Sequence, residues 1–208
     1  MTTAQDRIHH AALRLFAERG VTQVTVSDLA EAAGVARGTV YNNMGTVESL
    51  FEDVATGLTA EMGARIAASS AGTEDPAQRL GDGIRFFVRR AHEDPSWGRF
   101  LIRFGASTPT LQGLLGGAPT ADLRVGTETG RFQIKPDQVA SAVAVMSGGV
   151  LASIGLVLEG HRTWRDAGSD AAELMLRGLG IPAEEARALA TAELPALPAG
   201  SLRLVQPR

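Results

Sequence analysis

The chain has 208 residues, a formal charge of −3, and no cysteine; 19 arginines stand beside one lysine, Lys135. The missing cysteines exclude disulfides, a thiolate nucleophile and any Cys-based zinc site, and the charge argues against a protein basic throughout. The length suits one large domain, or a small domain followed by a larger one, with a core that needs no covalent staples.

The opening residues, MTTAQDRIHH, carry no apolar run and no small-residue cleavage site. They predict a cytoplasmic protein without a secretion signal. Aromatic residues are few, and Val and Ile seldom alternate with polar residues over a strand's length, so the chain reads as all-α.

A first helix is expected from about Thr3 to Arg19, with Ile8, Ala12, Leu15 and Phe16 on its apolar face and Gly20 as its stop. Thr25-Val-Ser-Asp28 has the capping-box pattern, in which Thr25 caps a second helix and Asp28 reaches back to the Thr25 N–H. That helix is short, from Ser27 to Ala33, and Gly34 ends it. A third runs to about Met44, and a long helix follows from Val47 to about Ala68, capped by Thr46. Two short helices joined by a Gly-containing turn and supported by a preceding helix make a helix-turn-helix. Ala30, Val35 and Val40 are its expected internal contacts, closed against Leu15, Phe16, Leu29, Leu50 and Phe51.

After the polar connection 69–78, with Pro76 suited to a helix first turn, an amphipathic helix ends near Asp94-Pro95. A second carries Trp97, Phe100, Leu101 and Phe104. The Gly- and Pro-rich stretch 105–130 predicts two short helices, around Leu111–Leu115 and Ala121–Thr129. Pro136 opens an uncharged run from Val139 to Leu158, and further helices are expected at Asp170–Leu179 and Ala183–Ala192. Residues 194–208 read as a mobile, Pro-containing tail.

The uncharged run is long enough to span a bilayer. It is diluted by Ala, Ser and Gly, however, and no Trp or Tyr flanks it, so it reads as a helix buried within a soluble assembly. Its small residues Ser141, Ala144, Gly148, Ala152 and Gly155 fall on one stripe, and Val143, Met146, Val150, Ile154 and Val157 on another. A small stripe lets two helices approach closely, either at a dimer seam or at a crossing inside one subunit.

Residues 8–54 resemble the DNA-binding domain of the tetracycline-repressor (TetR) family of bacterial transcription regulators. The stretches that carry the resemblance are IHHAALRLFAERG, TVSDLAEAAGVARGTVY and ESLF. The resemblance implies an N-terminal helix-turn-helix domain (1–54) and a helical ligand-binding and dimerisation domain (55–193), joined by the long helix 47–68. It also implies a homodimer that binds a palindromic double-stranded DNA operator, usually as a repressor released by a small molecule. No cofactor, metal or membrane is expected.

Gly38, Thr39 and Tyr41 match the family's GTxY, and Thr25 matches a residue that meets phosphate through its hydroxyl and N–H. Val47 stands where the family commonly has a phosphate-contacting Lys, and Asn43 where a His is frequent. Placed in the major groove, Arg37 suits guanine and Asn42 adenine, with Thr39, Tyr41 and Asn43 on the backbone. Residues 1–54 nonetheless hold four basic groups against seven acidic ones. That balance keeps open a family-like dimer whose head has lost DNA binding.

For a ligand, the aromatic cluster Phe86, Phe87, Trp97, Phe100 and Phe104, with Met146 and Trp164, is the expected lining, and Arg103 or Arg89 the polar group. The alternative is that these aromatics are only core. An all-helical enzyme is disfavoured: four histidines, no HExxH and no phosphate-binding glycine loop supply no mechanism.

Overall fold

The computed structural model describes residues 3–198; residues 1–2 and 199–208 lie outside it. Ten α-helices and two short 3-10 turns, with no strand, form the described residues. The head comprises α1 (Ala4–Arg19), α2 (Val26–Ala33), α3 (Arg37–Asn43) and the first turns of α4 (Val47–Ser69). The body adds α5 (Pro76–Glu93), α6 (Pro95–Phe104), α7 (Pro109–Glu128), α8 (Val139–Leu158), α9 (Trp164–Gly178) and α10 (Ala183–Thr191).

Caps fix the head helices. Thr3 and Asp6 form a capping box on α1, and Thr25 and Asp28 form the expected one on α2. Gly34 ends α2 in the left-handed region, at φ 63°, where a side chain would be strained. Leu15, Phe16, Leu29, Ala30, Val40, Leu50 and Phe51 are buried together as the pattern predicts, and Val35 is half-buried against them. Thr46 caps α4 by accepting from the Ser49 N–H at 3.1 Å.

Head and body meet through aromatics and one arginine. The Phe51 ring lies edge-on to Phe16 at 5.7 Å and to Phe104 at 4.9 Å, and tilted against Phe100 at 5.5 Å. From α6, Arg103 donates to the carbonyls of Ala17 and Glu18, both at 2.9 Å, at the C-terminal end of α1. In the body, α5 is central and packs on α6, α7, α8 and α9.

Three elements differ from expectation. The stretch read as two short helices is one continuous helix, α7, with Pro119 inside it. Pro119 lacks the N–H that would bond the Leu115 carbonyl, yet Leu111, Leu114, Leu115 and Leu123 are buried and hold the helix through the break. Tertiary burial overrides local propensity here. Helix α9 starts at Trp164 rather than Asp170, because Thr163 caps it by accepting from the Asp166 N–H.

The start of the tail is tied down rather than mobile. Ser69 donates to the Ala196 carbonyl at 2.8 Å and Arg65 to that of Pro198 at 2.7 Å, while Leu194 and Leu197 pack on the core. The rest of the expected mobile tail, 199–208, lies outside the described residues.

Helix α8 buries only one side within the chain. Met146, Val150 and Ile154 are buried, with Val143 and Val157 half-buried beside them. Ser141, Ala144, Gly148 and Ala152 are exposed and Gly155 is half-buried. A Cβ on Gly148 or Gly155 would meet nothing within 4 Å. The small stripe is therefore not a crossing inside this subunit. It faces outward, and Val145 and Leu156 of the same helix and Leu174 of α9 are exposed as well.

Candidate functional site

Helix α3 is held from below by Val40, which is fully buried, while Arg37, Gly38, Tyr41 and Asn42 are exposed. Their spacing, i and i+4 for each of two adjacent rows, puts them on one face. Tyr41 is 63% exposed, so its ring is not a packing residue. Arg37 has no hydrogen bond or ion pair among the described residues, leaving its guanidinium available for bidentate contact. No acidic residue occurs between Arg37 and Val47.

Two expected backbone contacts are altered by local hydrogen bonding. The Thr25 hydroxyl donates to Asp28 at 2.5 Å, and the Thr25 N–H donates to the same carboxylate at 2.9 Å. Both donors expected to meet phosphate are thus committed to the α2 cap. The Thr25 hydrogen bonds hold the Asp28 carboxyl below its usual range, and Arg19 pairs with it at 3.1 Å. The Asn43 amide donates to the Thr39 carbonyl at 2.7 Å, one turn back, which uses one of its two N–H donors. Thr39 is half-buried.

The body contains a cavity of about 290 Å³. Its walls are Gly63, Ile66, Ala67 and Ser70 of α4; Arg79, Leu80, Gly83, Ile84 and Phe87 of α5; Leu114, Leu115, Ala118, Pro119, Ala121 and Asp122 of α7; and Met146 and Val150 of α8. Of the nine residues named as candidates for a ligand site, it brings together Phe87 and Met146.

The others are placed elsewhere. Phe86, Trp97 and Phe100 are at most 1% exposed and belong to the packed core. Phe104 joins the aromatic contacts between head and body, and Arg103 caps α1. Of the further candidates, Trp164 lies between Arg89 and Arg165, whose guanidinium carbons sit 5.6 and 4.5 Å from its ring centroid, and the three line a second, more polar pocket of about 420 Å³ with Arg85 and Ser169. Aromatic spacing marked burial, which core and pocket share, and could not separate the two.

The polar group of the cavity is the pair Arg79–Asp122. The Arg79 Nε and Nη2 lie 2.7 and 2.6 Å from the same oxygen, Asp122 Oδ1. Its Nη1 donates to the Thr73 and Glu74 carbonyls, both at 2.8 Å, which anchors the guanidinium at the start of α5. Asp122 was missed because residues 105–130 read as broken helices. Only an unbroken α7 puts Leu115, Ala118, Pro119 and Asp122 on one stripe.

A helix-turn-helix head with an exposed third helix, joined by one rod to a helical body with a largely apolar pocket, defines the class: a helix-turn-helix transcription regulator. Residues 8–54 match the family described as bacterial regulatory proteins, tetR family. Residues 75–192 match the tetracyclin repressor-like C-terminal domain. The chain belongs to the TetR family.

Among solved structures, it is similar to RolR in complex with resorcinol, at 34% identity and a TM-score of 0.71, over 93% of this chain and 96% of that one. An uncharacterized HTH-type transcriptional regulator of Mycobacterium tuberculosis is 30% identical over 114 residues, 55% of each chain. The alignment thus spans about half the length of that curated relative. The HTH-type transcriptional repressor KstR2 of Rhodococcus jostii is 40% identical over 47 residues, 23% of each chain.

Proposed function

We propose that this protein is a cytoplasmic, non-enzymatic repressor that binds a palindromic operator as a homodimer and is released when a small molecule enters the body cavity. The observation that carries the reading is α4. Its first turns put Leu50 and Phe51 in the head core beneath α3, and its later turns supply Gly63, Ile66, Ala67 and Ser70 to the cavity wall. At 23 residues it is a rod of about 35 Å. A ligand that shifts its far end changes the angle of the head, and with it the spacing of the two α3 helices in a dimer.

In this reading residues 1–54 are the DNA-binding unit and 55–193 the ligand and dimer unit. Arg37, Gly38, Thr39, Tyr41, Asn42 and Asn43 meet the operator, Arg37 reading guanine. Thr25 contributes by ordering the start of α2 rather than by its own donors. The second copy covers Ser141, Ala144, Gly148, Ala152 and Gly155, where small side chains allow close approach and Val145 and Leu174 supply apolar area. The likeness to RolR makes resorcinol the first effector to try.

Sequencing of chromosomal fragments retained by the protein tests the reading. A palindrome near one locus is expected, and Arg37→Ala should weaken its binding by about 1–3 kcal/mol. Retention of no preferred sequence would favour the degenerate-head alternative.

A further inference from the structure

Resting on the cavity reading above, we infer that the site takes a small, uncharged, hydroxylated ring that donates an O–H to the Asp122 carboxylate, and that it rejects carboxylates. Size is the first ground. At about 290 Å³ the cavity lies at the bottom of the range for ligand sites, about 300–1,000 Å³. One ring fits it with room to spare, since a cavity of about 150 Å³ already holds benzene.

The second ground is the inventory of donors and acceptors. A guanidinium has five N–H groups. In Arg79, Nε and one Nη2 N–H face Asp122 Oδ1, and both Nη1 N–H groups face backbone carbonyls. One N–H remains. Asp122 Oδ1 receives the whole fork, and Oδ2 has no hydrogen bond among the described residues. It is not sealed away either, since among the described residues the buried side-chain polar atom lacking a partner is His9 Nε2. Asp122 therefore offers an accessible acceptor in a residue that lines the cavity.

The wall thus presents one acceptor and one donor on an otherwise largely apolar surface. A hydroxyl, which can donate and accept, satisfies it; an ether or ketone, which only accepts, does not.

Charge is the third ground. Arg79 and Asp122 already neutralise one another at 2.6 Å. A ligand carboxylate would bring a second anion beside Asp122, with a single N–H left to answer it, in a site that removes both from water.

Titration calorimetry on the full-length protein tests this with resorcinol, 1,3-dimethoxybenzene, benzoate and decanoate. Resorcinol is expected to bind at least about tenfold more tightly than each of the other three, and Asp122→Asn to weaken it by about tenfold or more. Equal binding of the dimethyl ether, tighter binding of either carboxylate, no binding of any probe, or an unaffected Asp122→Asn protein would each overturn the inference.

Gly83→Leu separates this from the cavity reading itself. A Cβ at Gly83 meets nothing within 4 Å, and leucine is the better helix former, so the variant should fold while filling the space. Loss of resorcinol binding in Gly83→Leu, with unchanged thermal unfolding, supports the site. Undiminished binding there places the ligand elsewhere and sinks both.

Discussion

Replacing Arg103 with alanine should loosen the head from the body without touching the cavity. The guanidinium makes two hydrogen bonds of 2.9 Å to the Ala17 and Glu18 carbonyls, among the last of α1, whose orphan acceptors carry the negative end of the helix dipole. Hydrogen bonds involving a charged group contribute about 1.5–3 kcal/mol each when buried. Arg103 is exposed, so screening reduces the pair to about 1–2 kcal/mol in all. For a chain of this size that corresponds to a fall of about 2–8 °C in Tm.

Far-UV circular dichroism during heating measures the shift. Amide exchange at Gly20, whose N–H donates to the Phe16 carbonyl at 2.9 Å, reports where the loosening occurs. Arg103→Lys keeps the charge but not the fork, and should recover about half of the loss. An unchanged Tm and unchanged exchange at Gly20, combined with weakened ligand binding, would return Arg103 to the pocket role its sequence position suggests and refute the reasoning.

Gly148→Leu should block dimerisation, since the position is exposed and meets no atom of its own subunit; sedimentation of an unperturbed dimer would rule the α8 seam out. His9 is buried, its Nδ1 bonds the Gln5 carbonyl at 2.9 Å and its Nε2 has no partner. Burial lowers its pKa from 6.5, outweighing the nearby Asp53 and Asp6 carboxylates. Between the folded and unfolded values the unfolded chain binds more protons. Stability is therefore complete above pH 6.5 and declines below it, by at most about 1.4 kcal/mol per pH unit from this group. Urea midpoints against pH should show that decline in the wild type and not in His9→Leu; identical profiles would remove His9 from the account. Operator affinity should depend only weakly on salt, because α3 carries one arginine, and a slope equivalent to about six or more neutralised phosphates would contradict the contacts assigned.

The head was legible because its signals are local and redundant. Thr25 and Asp28 cap α2, Gly34 stops it, and the apolar spacing on α1 and α4 agrees with both. The same T-x-x-D signal at Thr163–Asp166 starts α9 and was overlooked, since the apolar pattern there begins later. The stripe on α8 was legible for a different reason. Size alternation distinguishes a filled core side from an open side, even though both are apolar.

The cavity was not legible. Its polar pair joins Arg79 to Asp122, 43 residues apart, across a helix containing a proline and two adjacent glycines. No periodicity within either segment encodes that meeting. Of the aromatics that looked like a pocket, Phe100 and Phe104 instead fill the junction between head and body, where large side chains are equally useful.

The acidity of the head looks different once each carboxylate has a place. Asp6 and Asp28 complete capping boxes, and Glu48 sits in the first turn of α4. All three meet the positive ends of helices, where a negative charge is stabilising. Asp28 is also paired with Arg19, which draws one of the four head arginines away from solvent anions. What remains on the exposed face of α3 is Arg37, Tyr41, Asn42 and a partly committed Asn43, with no carboxylate among them. The formal −3 of the head thus arises largely from helix ends and the exposed start of α4, and the exposed third helix is locally positive. A polyanion approaching α3 meets that local surface at a few ångströms, while charges beyond about 8 Å are screened at physiological salt. Net segment charge therefore bears on the on-rate at low salt more than on whether α3 can read a base.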